Sequence, residues 1–395
     1  MLSVKWSKVS LFFLFSVACI GTLLRGFSYV DVFFEYQNLV HAHSHIAFQG
    51  WVYTIMFLLL INLFIDEGKI QNRNYKRQFI VSVFVIVGVL ISFSVQGYGL
   101  YSIIFSSLFQ LLNYWFIISF FKDTKTKSFS ISLLFVKTGL LLGALSTIAP
   151  WGVGILSAKG LKGTEAFDAT IYFFLHFQYN GWFLFVILGL FFKLLENNNV
   201  SFDVIKGMRF YLLFTVAVVP AYTLSLLGMS FRSFILLPAV LASLFQLLGL
   251  YYFLMLVIES IPKWESYKNQ WSKIFLYSAI SSFFLKVILQ LLSTVPLFEN
   301  YAFGSKNLVL AYLHLSLIGF ISFLLISILI QLKWLKMRAL TKVGSLLLIV
   351  GYIGSEFLLV ITGLGVGYSQ FLLFLFSAFM AIGFFCFLIS KVENK

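Results

Sequence analysis

Of the five histidines in this 395-residue chain, three lie in one stretch, LVHAHSHIAFQGW, as His41, His43 and His45. Imidazole titrates near neutrality, both donates and accepts hydrogen bonds, and ligates haem iron, copper and non-haem iron. At about 100° per residue a helix puts His41 and His45 on one face and turns His43 nearly the opposite way, so the cluster can serve two sites. The other two histidines share its surroundings. The word His-x-x-x-x-Gly-aromatic reads HIAFQGW from His45, HFQYNGW from His176 and HLSLIGF from His314. A lone histidine in a membrane helix is often only an interhelical hydrogen bond. Ionisable groups at membrane depth are nonetheless functional candidates by default, and the recurrence of one word strengthens that reading.

The elements that must position these residues follow from composition. Hydrophobic residues make up 61% of the chain and charged residues 11%, and the mean hydropathy is +0.98. Such a chain is an integral membrane protein. Spans need about 20 apolar residues, and twelve runs qualify: 8–27, 39–65, 78–96, 100–121, 131–150, 170–192, 210–229, 233–258, 274–295, 308–332, 343–363 and 369–390. With five prolines to interrupt them, and with backbone groups in lipid needing internal partners, all are expected to be helices. The first run follows Lys5 and Lys8 as a signal peptide would, but it continues to Arg25 with no A-x-A-like cleavage site, so it is expected to stay as a helix.

Loop charges alternate in step with these helices. One side holds most of the 28 Lys and Arg residues, including Lys268, Lys391 and Lys395. The other side holds Arg25, Lys159, Lys162, Arg232 and Lys306, while Lys137 and Lys286 fall within spans. By the positive-inside rule both termini are expected in the cytoplasm and the even-numbered helices enter from the outer face, in a multi-pass protein of the cell membrane, the inner membrane of a bacterium. The charge of +14 is then a topology signal in contact with the lipid bilayer, and nucleic acid is not an expected partner. Cys19 and Cys386 lie in separate spans and form no motif.

Further words repeat. SLFQLL occurs from Ser107 and from Ser243, and Leu-Ser-Thr precedes a proline from Leu145 and from Leu292. The chain therefore reads as one transmembrane domain, 1–395, of three internal units, about 1–130, 131–270 and 271–395, each of four helices. The histidine word falls on the second helix of each unit, in its outer half. The glycine of the word leaves room for a close helix or a flat macrocycle. Arg25 and Arg232, near outer helix ends, can meet haem propionates or snorkel to the interface. Glu356 lies inside the eleventh run.

Twelve helices in three units of four, with histidines on helices two, six and ten, resemble the catalytic subunit (subunit I) of the haem-copper oxidase superfamily. The words HSHIAFQG and HFQYNG resemble those of the nitric oxide reductase branch most closely, and the architecture is also similar to NnrS-type haem- and copper-containing proteins, although a Trp-His-Ala-His-Glu word is absent. The resemblance implies a low-spin haem b held by His45 and His314. It also implies a copper or non-haem iron ligand in His176, an electron donor such as a quinol or a cytochrome, and small partner subunits. The sequence departs from the pattern in two places: the seventh helix, FYLLFTVAVVPAYTLSLLG, has no histidine pair, and helix ten offers one histidine where two are expected. Either a second metal site uses His41 or His43 with His176, or one haem remains. The expected function is electron transfer or the handling of a gas such as nitric oxide, without efficient oxygen reduction. The alternative is a non-enzymatic haem or copper carrier, assembly factor or sensor of the same fold.

Overall fold

A computed structural model describes residues 4–264, 267, 269–367 and 369–390; Lys268, Lys391 and Lys395 lie outside the described residues. The described residues form helices and connecting turns, with no strand among them. Eleven helices are long and apolar enough to cross a membrane: α1 (Ser7–Arg25), α2 (Tyr36–Phe64), α3 (Tyr75–Gln96), α4 (Leu100–Asp123), α5 (Ile131–Ala158), α6 (Glu165–Asn197), α8 (Arg232–Lys263), α9 (Gln270–Leu292), α10 (Lys306–Gln331), α11 (Ala339–Gly363) and α12 (Gln370–Ile389). Between α6 and α8, a bent pair, Val204–Val218 and Pro220–Leu226, forms α7. The fold is thus that of an all-α polytopic membrane protein, with eleven candidate spans among the described residues, or twelve with α7.

Where the hydropathy predicts one straight seventh helix, α7 bends by 51°. Pro220 has no N–H to give and its ring crowds the preceding turn, so the helix tightens into 3-10 turns over Pro220–Leu226, with the Tyr222 N–H bonding to Val219 O at 3.2 Å. The carbonyl of Val218 is released from the helical ladder as a result. Its new partner is described below.

The chain forms two compact units. One comprises residues 1–127, 325–362 and 366–395; the other comprises 128–324 and 363–365. In the first unit α1 packs along α12 and against α2, α2 packs on α3, and α3 on α4. Lys8 of α1 caps the last turn of α12, its ammonium reaching the carbonyls of Phe387 (3.0 Å), Leu388 (2.6 Å) and Ser390 (2.5 Å), where the helix end is short of donors. At the end of α4, buried Asp123 accepts from Arg73 Nε (2.9 Å) and Tyr75 Oη (2.7 Å). Nearby, exposed Asp66 pairs with Lys127 at 2.5 Å, and that hydrogen bond, ahead of the neighbouring charges, holds its carboxyl below the usual carboxylate range. In the second unit α5 packs on α6, α7 on α8, α8 on α9, and α9 on the middle of α10.

The three histidine-bearing helices are the most buried of the spans: 94% for α6 and 72% for both α2 and α10, against 61% or less elsewhere. Each also contains one wide π-helical stretch, Ile46–Tyr53 in α2, His176–Phe183 in α6 and Leu315–Ser322 in α10, beginning at the histidine or immediately after it. A π turn holds an extra residue and loosens the carbonyl ladder, so it persists where other groups take up the slack. Hydroxyls do so in two of the three: Thr54 Oγ1 donates to Gly50 O in α2, and Ser322 Oγ to Leu317 O at 2.7 Å in α10.

Candidate functional site

The N-terminal half of α2 presents two histidine faces. His45 lies flat on Phe93 of α3, with ring centroids 4.0 Å apart and planes 20° from parallel. His41 meets the edge of Tyr98 at 4.6 Å, and Tyr98 Oη is 3.3 Å from His45 Nε2. His41 and His45 therefore share a face, as the helical period requires. Tyr98 is held there by a link of unusual backbone: Gly97 has φ +58°, and a Cβ at that position would lie 2.3 Å from Asn38 Oδ1, so only glycine fits. Tyr98 itself is 63% exposed.

His43 points the other way, to α1. Its Nδ1 is 3.0 Å from the Val17 carbonyl oxygen. A carbonyl only accepts, so Nδ1 carries the proton and the lone pair of the neutral ring is on Nε2. Gly21 of α1 lies close to this ring, since a Cβ there would be 3.0 Å from His43 Cε1. The glycine of the α2 word likewise makes room for a helix: a Cβ on Gly50 would be 2.9 Å from Phe13 of α1.

In the second unit His176 is almost fully buried and both ring nitrogens are engaged. Nε2 is 2.7 Å from Val218 O, the carbonyl released by the break in α7, and Asn180 Nδ2 is 3.3 Å from Nδ1. Since Val218 O can only accept, Nε2 carries the proton and Nδ1 accepts from Asn180. Neither nitrogen offers a lone pair to a metal in this arrangement. Buried Lys286 of α9 donates to Gln290 Oε1 at 3.1 Å. The π stretches of α6 and α10 touch within this unit, and half-buried His314 immediately precedes the second of them.

No family model and no curated protein matches this chain. What the site can do therefore rests on its own geometry.

Two of the three repeat histidines are followed four residues later by a side-chain amide that faces the ring. Gln49 Nε2 lies 3.5 Å from His45 Nδ1, at the outer limit of a hydrogen bond, in the same relation that Asn180 has to His176. Gln49 Oε1 and Asn180 Oδ1 are both buried with no hydrogen-bond partner among the described residues. Sequence reasoning did not read Gln49 as a partner of His45, although its spacing, one helical turn from the histidine, was visible. In α10 the same position is Ile318.

The arginines divide. Arg232 is engaged within the second unit by Glu299 (3.0 Å) and by the carbonyls of Leu227 (3.4 Å) and Thr294 (3.2 Å). Arg25 ends α1, half-buried. Among the described residues no three His, Cys, Asp or Glu side chains come together as a ligand set for a metal ion. A haem asks for less, because the macrocycle brings four nitrogen donors and the protein adds one or two imidazoles. His45 fits that demand: its Nε2 points at a hydroxyl on an exposed side chain, and its Nδ1 faces the NH2 of an amide whose oxygen has no partner among the described residues.

Proposed function

We propose that this is a haem-binding integral membrane protein related to the haem-copper oxidase catalytic subunit, in which His45 gives an imidazole to a haem b. The observation that carries the proposal is the setting of that one ring: stacked on Phe93, in the N-terminal half of its span, with Nε2 turned toward Tyr98 and Nδ1 toward Gln49. Phe93 and the α2 backbone fix the plane of the imidazole, and the half-buried position limits water at the ring. The loop-charge alternation supports a cell-membrane location with the histidine halves of the helices toward the outside. A bound haem supplies one-electron transfer and gas binding.

The proposed task is electron transfer from a quinol or cytochrome donor, or nitric oxide handling. His314, which the resemblance pairs with His45, is tested by its own alanine variant. A second reading, a haem carrier, assembly factor or sensor without catalysis, is favoured by the closure of His176, because a second metal facing the haem needs fixed ligands and this imidazole has none to give as held.

Reduced-minus-oxidised visible spectra of detergent-purified protein test the proposal. The wild type is expected to show b-type bands and His45→Ala to lose them; a wild type that carries no haem and takes up none overturns it. Rapid oxygen consumption that is lost on His176→Ala would instead establish a complete second metal site.

A further inference from the structure

Two histidine rings have their protons placed by a neighbour, and a third does not. Val17 O fixes His43 with its proton on Nδ1, and Val218 O fixes His176 with its proton on Nε2, because a carbonyl cannot reverse its role. Both partners of His45 can reverse: a hydroxyl donates or accepts, and a primary amide presents either NH2 or oxygen in nearly the same volume.

We propose that Gln49 is a positioning residue for His45, and that its amide and the Tyr98 hydroxyl form a tautomer switch that readies Nε2 to ligate iron. This rests on the haem reading above. In the closed arrangement the Gln49 NH2 donates to Nδ1 and the ring donates from Nε2 to Tyr98 Oη. In the ready arrangement the amide turns over, Oε1 accepts from Nδ1–H, and the lone pair moves to Nε2. The ring stays neutral: one proton leaves Nε2 and one arrives at Nδ1, exchanged through water. Metal-bound imidazoles are generally oriented by such an acceptor on the far nitrogen.

Two features make the switch balanced. Gln49 is 8% exposed and its Oε1 has no partner among the described residues, while the contact the NH2 gives up is 3.5 Å long. Each orientation leaves one end of the amide unsatisfied, so neither is strongly preferred and a ligand at Nε2 selects the second. Tyr98, exposed and carried between Gly97 and Gly99, can leave the position facing Nε2 without disturbing the helices. Asn180 has the same spacing and the same unpartnered oxygen, but Val218 O bars the turnover.

The experiment uses full-length protein in detergent, titrated with iron protoporphyrin IX, together with 15N spectra of histidine-labelled protein in which His45 is assigned by its loss in His45→Ala. Gln49→Glu, an acceptor only, is expected to hold His45 with its proton on Nδ1 without added haem, to keep wild-type affinity and to lower the midpoint potential. Gln49→Leu is expected to weaken binding about tenfold. If the wild type binds haem through His45 but both variants match it in affinity, potential and 15N shifts, the switch is overturned and the haem reading stands. If the wild type binds no haem while Gln49→Glu still moves the ring proton to Nδ1, the haem reading falls and the amide control of the ring survives. A ring proton that stays on Nε2 in Gln49→Glu overturns the switch whatever else is found.

Discussion

His45 and His176 begin the same word, each followed by an amide at the fourth residue and a glycine at the fifth, yet the two rings end in opposite conditions. His176 is closed: Pro220 breaks α7, the break releases Val218 O, and that carbonyl accepts from Nε2–H and keeps the proton on that nitrogen. His45 meets a tyrosine hydroxyl on a glycine-flanked link, and nothing there fixes which nitrogen holds the proton. The helix carrying an imidazole sets where the ring points and who sits behind it. A distant part of the chain, a broken helix for His176 and a link for His45, decides whether the ring proton is fixed.

The contrast is broken most directly by alanine. His45→Ala is expected to abolish the b-type difference spectrum, and His176→Ala to leave it unchanged per mole of folded protein. Equal loss in a folded His176→Ala protein would make the two rings alike after all. The next effect is on stability: His176→Ala strands Val218 O and the Asn180 amide in a buried site, at about 1–3 kcal/mol for each unsatisfied group, read from denaturation in mixed micelles. His45→Ala, at a half-exposed position, is expected to cost clearly less.

A finer test reverses the closure itself. Pro220→Ala restores an N–H and lets α7 run on, so that the Tyr222 N–H competes for Val218 O. The 15N spectrum is then expected to show His176 losing its uniform Nε2–H state, while His43, held by Val17 O, keeps its proton on Nδ1. No change at His176 would mean that the ring, not the proline, maintains the break.

The smallest expected effect lies away from both rings and gives their baseline. The Asp66 carboxyl is held below its ordinary range, first by the Lys127 hydrogen bond. A lowered folded-state value means that the contact stabilises the protein above the ordinary carboxylate range and is lost as pH falls through that lowered value. Lys127→Ala is therefore expected to be slightly less stable than wild type near neutrality and to converge with it in acid. A gap that persists in acid would assign the effect of Lys127 to packing.

Much of this was readable in the residues. Hydropathy located every span, and a period of 3.6 residues put His41 and His45 on one face and His43 on the other. The break in α7 escaped the hydropathy reading because Pro220 is apolar and lies inside an apolar run; its missing N–H is invisible to a transfer scale. The state of His176 was illegible for another reason. Its decisive partner is 42 residues away and is a backbone atom, carrying no side-chain signature. Tyr98, 53 residues from His45, is legible only once α3 is known to return alongside α2. The amides were the near miss, since spacing alone placed them one turn below their imidazoles.

The wide turn after each histidine has a mechanical consequence. One added residue rotates whatever precedes it by roughly a quarter turn relative to whatever follows, so each of these helices behaves as two shafts joined by a phase-shifting coupling. In α2 the far shaft, Ile55–Ile61, is wholly buried and keyed to its neighbours, while the near shaft carries the imidazoles. Deleting one residue within Ile46–Tyr53 would leave the far shaft seated and swing His45 off Phe93 and His43 off Val17 together. The angular setting of the imidazoles is thus adjustable by insertion or deletion without repacking the C-terminal half of the helix.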